Sequence, residues 1–88
     1  MKYKRKKAKD ILLAIGDQLR VARQLQGFTQ STLAEALGVS PSLVCRYEEG
    51  LVDITLSKML EWCSICGYPS VNIINSINYH KRGQENQR

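Results

Sequence analysis

TQSTLAEALGVSPSLVCRYEEG, residues 29–50, holds two helix starts and two helix stops in one short run. Thr29 can accept a hydrogen bond from the free amides at the start of one helix. Ser40 can do the same for the next, and Pro41 follows at the first helical position, where its missing N–H costs nothing. Between these caps Leu33, Ala34 and Leu37 recur at helical spacing. Gly38 then supplies the left-handed conformation that ends a helix without a Cβ clash, and Gly50 stops the second helix in the same way. The turn between the helices is Gly38-Val39-Ser40.

A short glycine-containing turn between two short helices is a helix-turn-helix, whose second helix can lie in a DNA major groove. The run TQxxLAxxLGVS, the following helix that ends Arg46-Tyr47-Glu48-Glu49-Gly50, and the spacing of the flanking helices together resemble the lambda repressor and Cro family of XRE-type domains. The resemblance covers Ile15 to Ile74, most of the chain, and joins turn, caps, core positions and polar positions. It implies an all-α fold, a compact five-helix lambda-repressor-like domain with a basic N-terminal arm and a C-terminal dimerisation element. The implied function is sequence-specific binding of double-stranded DNA by a transcriptional regulator. A homodimer on a palindromic operator is expected, with the helix over 41–49 in the major groove. The alternative is an antitoxin-type interaction module that binds a toxin and autoregulates its operon.

Eighty-eight residues make one small domain with a modest core, to which a dimer interface can add stability. An apolar content of 43% and a charged content of 24% are ordinary for a globular chain. No apolar run approaches the ~20 residues that cross a bilayer, and the basic N-terminus lacks the long apolar run and small-residue cleavage site of a secretory signal. A cytoplasmic protein without membrane contact is expected.

The net charge of +5 is unevenly placed. Of the 13 Lys and Arg residues, Lys2, Lys4, Arg5, Lys6, Lys7 and Lys9 lie in the first nine positions, and the rest of the chain carries seven basic and eight acidic residues. Residues 1–9 therefore read as a basic arm that tracks the DNA backbone or enters the minor groove. Residues 10–78 form the domain, and 79–88 a polar tail. Any DNA-binding face on the domain must depend on a few well-placed cations.

The first helix is expected from Asp10 to about Gln26, with Ile11, Ile15, Leu19 and Ala22 inward, Leu12 on the flank, and Phe28 closing over the end. The resemblance implies that Arg23 pairs with Glu48, fixing the reading helix while leaving donors for phosphate. It also places Gln30 on phosphate at the start of the second helix. Ser40 completes the phosphate set, while Arg20 reads as a solvated charge.

On the third helix Val44 and Tyr47 face inward, while Ser42, Leu43, Cys45, Arg46 and Glu49 lie outward. Arg46 is the best candidate for base reading, because a guanidinium can donate twice to the O6 and N7 of guanine. Ser42 can reach a base or phosphate, and Leu43 a thymine methyl. Pro41 stands where many relatives use a base-reading glutamine, and the charge of Glu49 repels phosphate, so direct contacts are few.

Leu51-Val52-Asp53-Ile54 is an apolar loop. Leu51, Val52 and Ile54 read as a dimer contact shared with Ile73 and Ile77; folding of Leu51 and Ile54 back onto the core is the alternative. Thr55 caps a fourth helix with Leu56, Met59, Leu60, Cys63 and Cys66 near one face and Trp62 beside them. Cys63-Ser-Ile-Cys66 has CxxC spacing, but no second cysteine pair exists and His80 alone cannot complete a four-ligand site. Buried reduced thiols are expected, with no metal, cofactor or catalytic residue. After Gly67 and Pro69, Ser70 is a candidate cap for an element carrying Val71, Ile73, Ile74 and Ile77. Its β-branched content allows either a fifth helix or a pairing strand.

Overall fold

The computed structural model describes residues 8–85, with side-chain surroundings for 8–77. Lys2, Lys4, Arg5, Lys6 and Lys7 of the expected arm lie outside the described residues. Five helices follow in order: α1 Ala8–Leu25, α2 Gln30–Leu37, α3 Pro41–Glu48, α4 Leu56–Cys66 and α5 Ser70–Glu85. Among the described residues there is no strand, and no helix is long and apolar enough to cross a membrane.

The caps form where the sequence places them. Thr29, Ser40 and Thr55 accept hydrogen bonds from the amides of Thr32, Leu43 and Lys58, and Gly38 takes φ +77° after α2. At the N-terminus α1 begins two residues before Asp10, so Asp10 falls in its first turn and Lys9, the last residue of the expected arm, is helical. At the other end α5 continues through 79–85, within the stretch read as a polar tail. The β-branched run at its start is helical because Ile73 is fully buried in the core, where α5 packs along α1. Tertiary burial outweighs β-propensity there.

Leu19, Leu33, Val44, Trp62 and Ile73 form the centre of the core. Trp62 fills its middle and donates its indole N–H to the Leu19 carbonyl at 3.1 Å, so its one polar atom is satisfied. Tyr47 meets the Trp62 ring edge-on, with centroids 6.3 Å apart and planes at 69°. Helix α1 packs on α3, α4 and α5, and α2 on α3 and α4.

Four apolar residues, Ile54, Ile73, Leu56 and Leu60, lie elsewhere than expected. Ile54 and Ile73 belong to the core and offer no dimer surface. Of the proposed interface set, Leu51 is exposed, while Val52 and Ile77 are half-buried. The buried stripe of α4 is Met59, Trp62, Cys63 and Cys66, at i, i+3, i+4 and i+7. That phase turns Leu56 and Leu60 outward, at 66% and 45% exposed.

Candidate nucleic-acid interface

Helix α3 is held from within and open from without. Val44 is buried, Tyr47 is half-buried against Trp62, and Glu48 is only 2% exposed. On the other side Pro41, Ser42, Arg46 and Glu49 are exposed, with Leu43 and Cys45 half-buried. This is the division expected from helical periodicity, and it leaves the side chains of Ser42 and Arg46 accessible. Arg46 makes no ion pair with Glu35 or Glu49, and no salt bridge to it is found among the described residues.

Glu48 anchors this helix through a buried polar network. The Arg23 Nε donates to its Oε2 at 2.6 Å and an Arg23 terminal nitrogen to its Oε1 at 3.1 Å, the fork-on-carboxylate geometry that makes an arginine pair strong. The other terminal nitrogen of Arg23 donates to the Phe28 carbonyl at 2.7 Å, which ties the loop between α1 and α2 to the same point. The Gln30 amide donates to Glu48 Oε1 at 3.0 Å. Among the described residues every buried side-chain nitrogen and oxygen has a partner, so the network bears its desolvation cost without orphaned donors.

The site residues thus divide. Arg23 and Glu48 meet as the resemblance implies. Arg23 is 8% exposed, and each of its three guanidinium nitrogens makes a hydrogen bond within the domain, which gives it a structural role. Gln30 is half-buried at the first turn of α2 and anchored to Glu48. Ser40 is exposed and its hydroxyl caps α3.

Two residues prove more important than sequence reasoning suggested. Arg20 is not a free surface charge: it donates to the Glu48 backbone carbonyl at 3.1 Å, with its Nε 3.8 Å from the Glu48 carboxylate. Gly16 is buried where α1 crosses α3, and a Cβ there would lie 2.5 Å from the Glu48 carbonyl oxygen and 2.7 Å from that of Tyr47. The available signal was the glycine itself, which weakens a helix interior by about 1 kcal/mol relative to alanine and so points to close packing.

Cys63 and Cys66 are buried in the core. Burial pushes both thiols above their ordinary range, and for Cys66 the neighbouring Cys63 adds to the rise. That is the opposite of the lowered pKa that makes a nucleophilic thiol.

A helix-turn-helix family model, HTH_3, matches residues 19–71. Among solved structures, two of the clp gene regulator ClgR from Corynebacterium glutamicum are similar. One is 26% identical with a TM-score of 0.75, covering 88% of this chain and 82% of ClgR. The other is 27% identical with a TM-score of 0.70, covering 75% and 86%. The restriction-modification controller protein C.AhdI from Aeromonas hydrophila is 27% identical with a TM-score of 0.65, covering 70% of this chain and 94% of that protein. Comparison with curated sequences finds no match. With its turn, caps and anchored third helix all in place, the chain belongs to the XRE-type helix-turn-helix family of DNA-binding transcription regulators.

Proposed function

We propose that the protein is a sequence-specific transcriptional regulator that acts in the cytoplasm and binds a palindromic operator as a homodimer, with α3 in the major groove. The observation that carries this reading is the outer face of α3, where Ser42 and an unpaired Arg46 stand exposed on a helix whose opposite side is buried. Arg46 reads guanine through a bidentate contact, Ser42 reaches an adjacent base or phosphate, and Leu43 meets a thymine methyl. Ser40 and Gln30, at the starts of α3 and α2, contact phosphate, where the positive ends of both helix dipoles add to the attraction. The Lys-rich N-terminus adds affinity that falls with salt.

Dimerisation is supported by apolar surface that the monomer leaves uncovered. Leu51 and, on α4, Leu56 are more than 60% exposed, and Leu60, Val71 and Ile74 are also exposed. Two reading helices reach successive major grooves on one face of DNA when their half-sites lie about 34 Å apart.

The test is selection of bound duplexes from a randomised DNA pool, followed by footprinting and sedimentation of the complex. A symmetric enriched sequence bound by two chains is expected. Arg46→Ala should then lose discrimination at one base step, whereas Gln30→Ala should weaken binding to all sequences. Uniform losses from both variants would reject Arg46 as a reader, and enrichment of no sequence would reject the function itself.

A further inference from the structure

The C-terminal end of α3 is closed by two different means. A helix leaves its last four carbonyls without intrahelical partners. Here the carbonyls of Cys45, Arg46 and Tyr47 accept from the backbone amides of Glu49, Leu51 and Gly50. The fourth, on Glu48, accepts from the Arg20 guanidinium of α1. The same oxygen lies over Gly16, where even a methyl group would collide with it. Asp17 holds another Arg20 nitrogen at 3.3 Å, three residues back on α1, which steadies the guanidinium. One backbone atom at the end of the reading helix is therefore located by a missing side chain beneath it and a charged donor beside it.

We propose that Arg20 is a positioning residue for DNA recognition: with Gly16 it forms a seat for the Glu48 carbonyl, and this seat sets the angle at which α3 presents Ser42 and Arg46. This rests on the DNA-reading role proposed above. The Arg23 fork holds the Glu48 side chain, but a side-chain tether alone leaves the helix axis free to tilt about it. Arg20 adds a second tether, on the backbone. Arg46 is two residues from that seated carbonyl, so a small tilt misaligns a bidentate base contact while phosphate contacts, which tolerate displacement, survive. The cation also lies at the negative end of the α3 dipole, which favours it there in the free protein.

Arg20→Met keeps much of the apolar stem and removes every donor; Arg20→Lys keeps the charge but not the fork that reaches Glu48 and Asp17 together. Two measurements on the full chain test the role. In hydrogen exchange of the free protein, both variants should speed exchange of the Glu49, Gly50 and Leu51 amides more than that of α2 and α4. With the duplex enriched by the wild type, Arg20→Met should lower the ratio of specific to scrambled-duplex affinity by about tenfold, the scale of one good base contact. Arg20→Lys should restore little of it, and the salt slope should be unchanged in both.

A uniform rise in exchange across all helices would make Arg20 a stability residue only and overturn the proposal. So would full rescue by Arg20→Lys together with a salt slope reduced by about one in Arg20→Met, the mark of a direct phosphate contact. An unchanged affinity ratio in Arg20→Met overturns the Arg20 role while leaving the DNA-reading role intact. Failure of the wild type to enrich any sequence overturns both.

Discussion

The two ends of α3 are built on opposite principles. Its N-terminal end is held by local means, a Ser40 cap and Pro41 at the first position, and its side chains there face outward. Its C-terminal end is held by the rest of the molecule: Arg23 and Gln30 grip the Glu48 carboxylate, Arg20 takes its carbonyl, and Gly16 lets α1 approach. A side chain that must meet a base has to stay unpaired in the free protein, so it cannot also hold its own helix in place. The holding is moved to the opposite face of the helix, where Val44 and Glu48 are buried. Rigidity and recognition occupy different residues of one short helix.

Substitutions should separate the held face of α3 from its open face. The largest expected effect is from Glu48→Ala, which leaves the Arg23 guanidinium buried without its counter-charge; breaking a buried pair from one side costs about 3–5 kcal/mol, read as a lower midpoint in urea. Gly16→Ala comes next, since its Cβ must displace the α3 backbone rather than a flexible side chain. Overpacking of this kind costs about 1–3 kcal/mol, and calorimetry should show a reduced Tm. If Gly16→Ala proves neutral, the close crossing of α1 and α3 does not hold the helix.

A smaller effect comes with pH. Cys63 and Cys66 have thiols whose pKa is raised by burial in the folded state. In the range below the ordinary thiol pKa, both folded and unfolded chains carry the proton and stability is unaffected by it. As pH rises above that range the unfolded chain releases protons first, so stability should fall. Denaturation in urea at neutral and at strongly alkaline pH measures this, and a Cys63→Ala, Cys66→Ala double variant should flatten the alkaline part of the loss.

The smallest change in stability is expected on the outward face of α3. Arg46→Ala removes an exposed, unpaired side chain, so unfolding should shift by no more than about 0.5 kcal/mol. Discrimination at one base pair should nevertheless drop by about 1–3 kcal/mol. A large loss of stability in this variant would blur the contrast between the two faces of α3.

Much of this arrangement was legible before any coordinates. Cap residues, turn glycines and apolar spacing act over one or two turns of helix, so Thr29, Ser40, Thr55, Gly38 and the Leu33-Ala34-Leu37 face could be read locally. The outward position of Ser42 and Arg46 also followed from period alone. The Arg23–Glu48 pair was legible by resemblance, because it joins residues far apart in sequence. Local pattern could not identify Arg20 as a partner of the Glu48 backbone, since nothing in its neighbours indicates which carbonyl lies opposite.

Similar reasoning explains the apolar residues that changed place. Ile54, Ile73, Leu56 and Leu60 are all apolar, and composition cannot distinguish the first two, which are buried, from the last two, which are exposed. The class of fold, the boundaries of the central helices, the outward face of α3 and the uneven charge could be read from the order of residues alone, because each depends on short-range geometry or simple counting. Helix packing settled which isoleucines enter the core, that Arg23 is buried against Glu48 and Phe28, and that Gly16 and Arg20 receive the end of α3. Those outcomes depend on the rotation and distance of helices packed across the core, and no single segment contains that information.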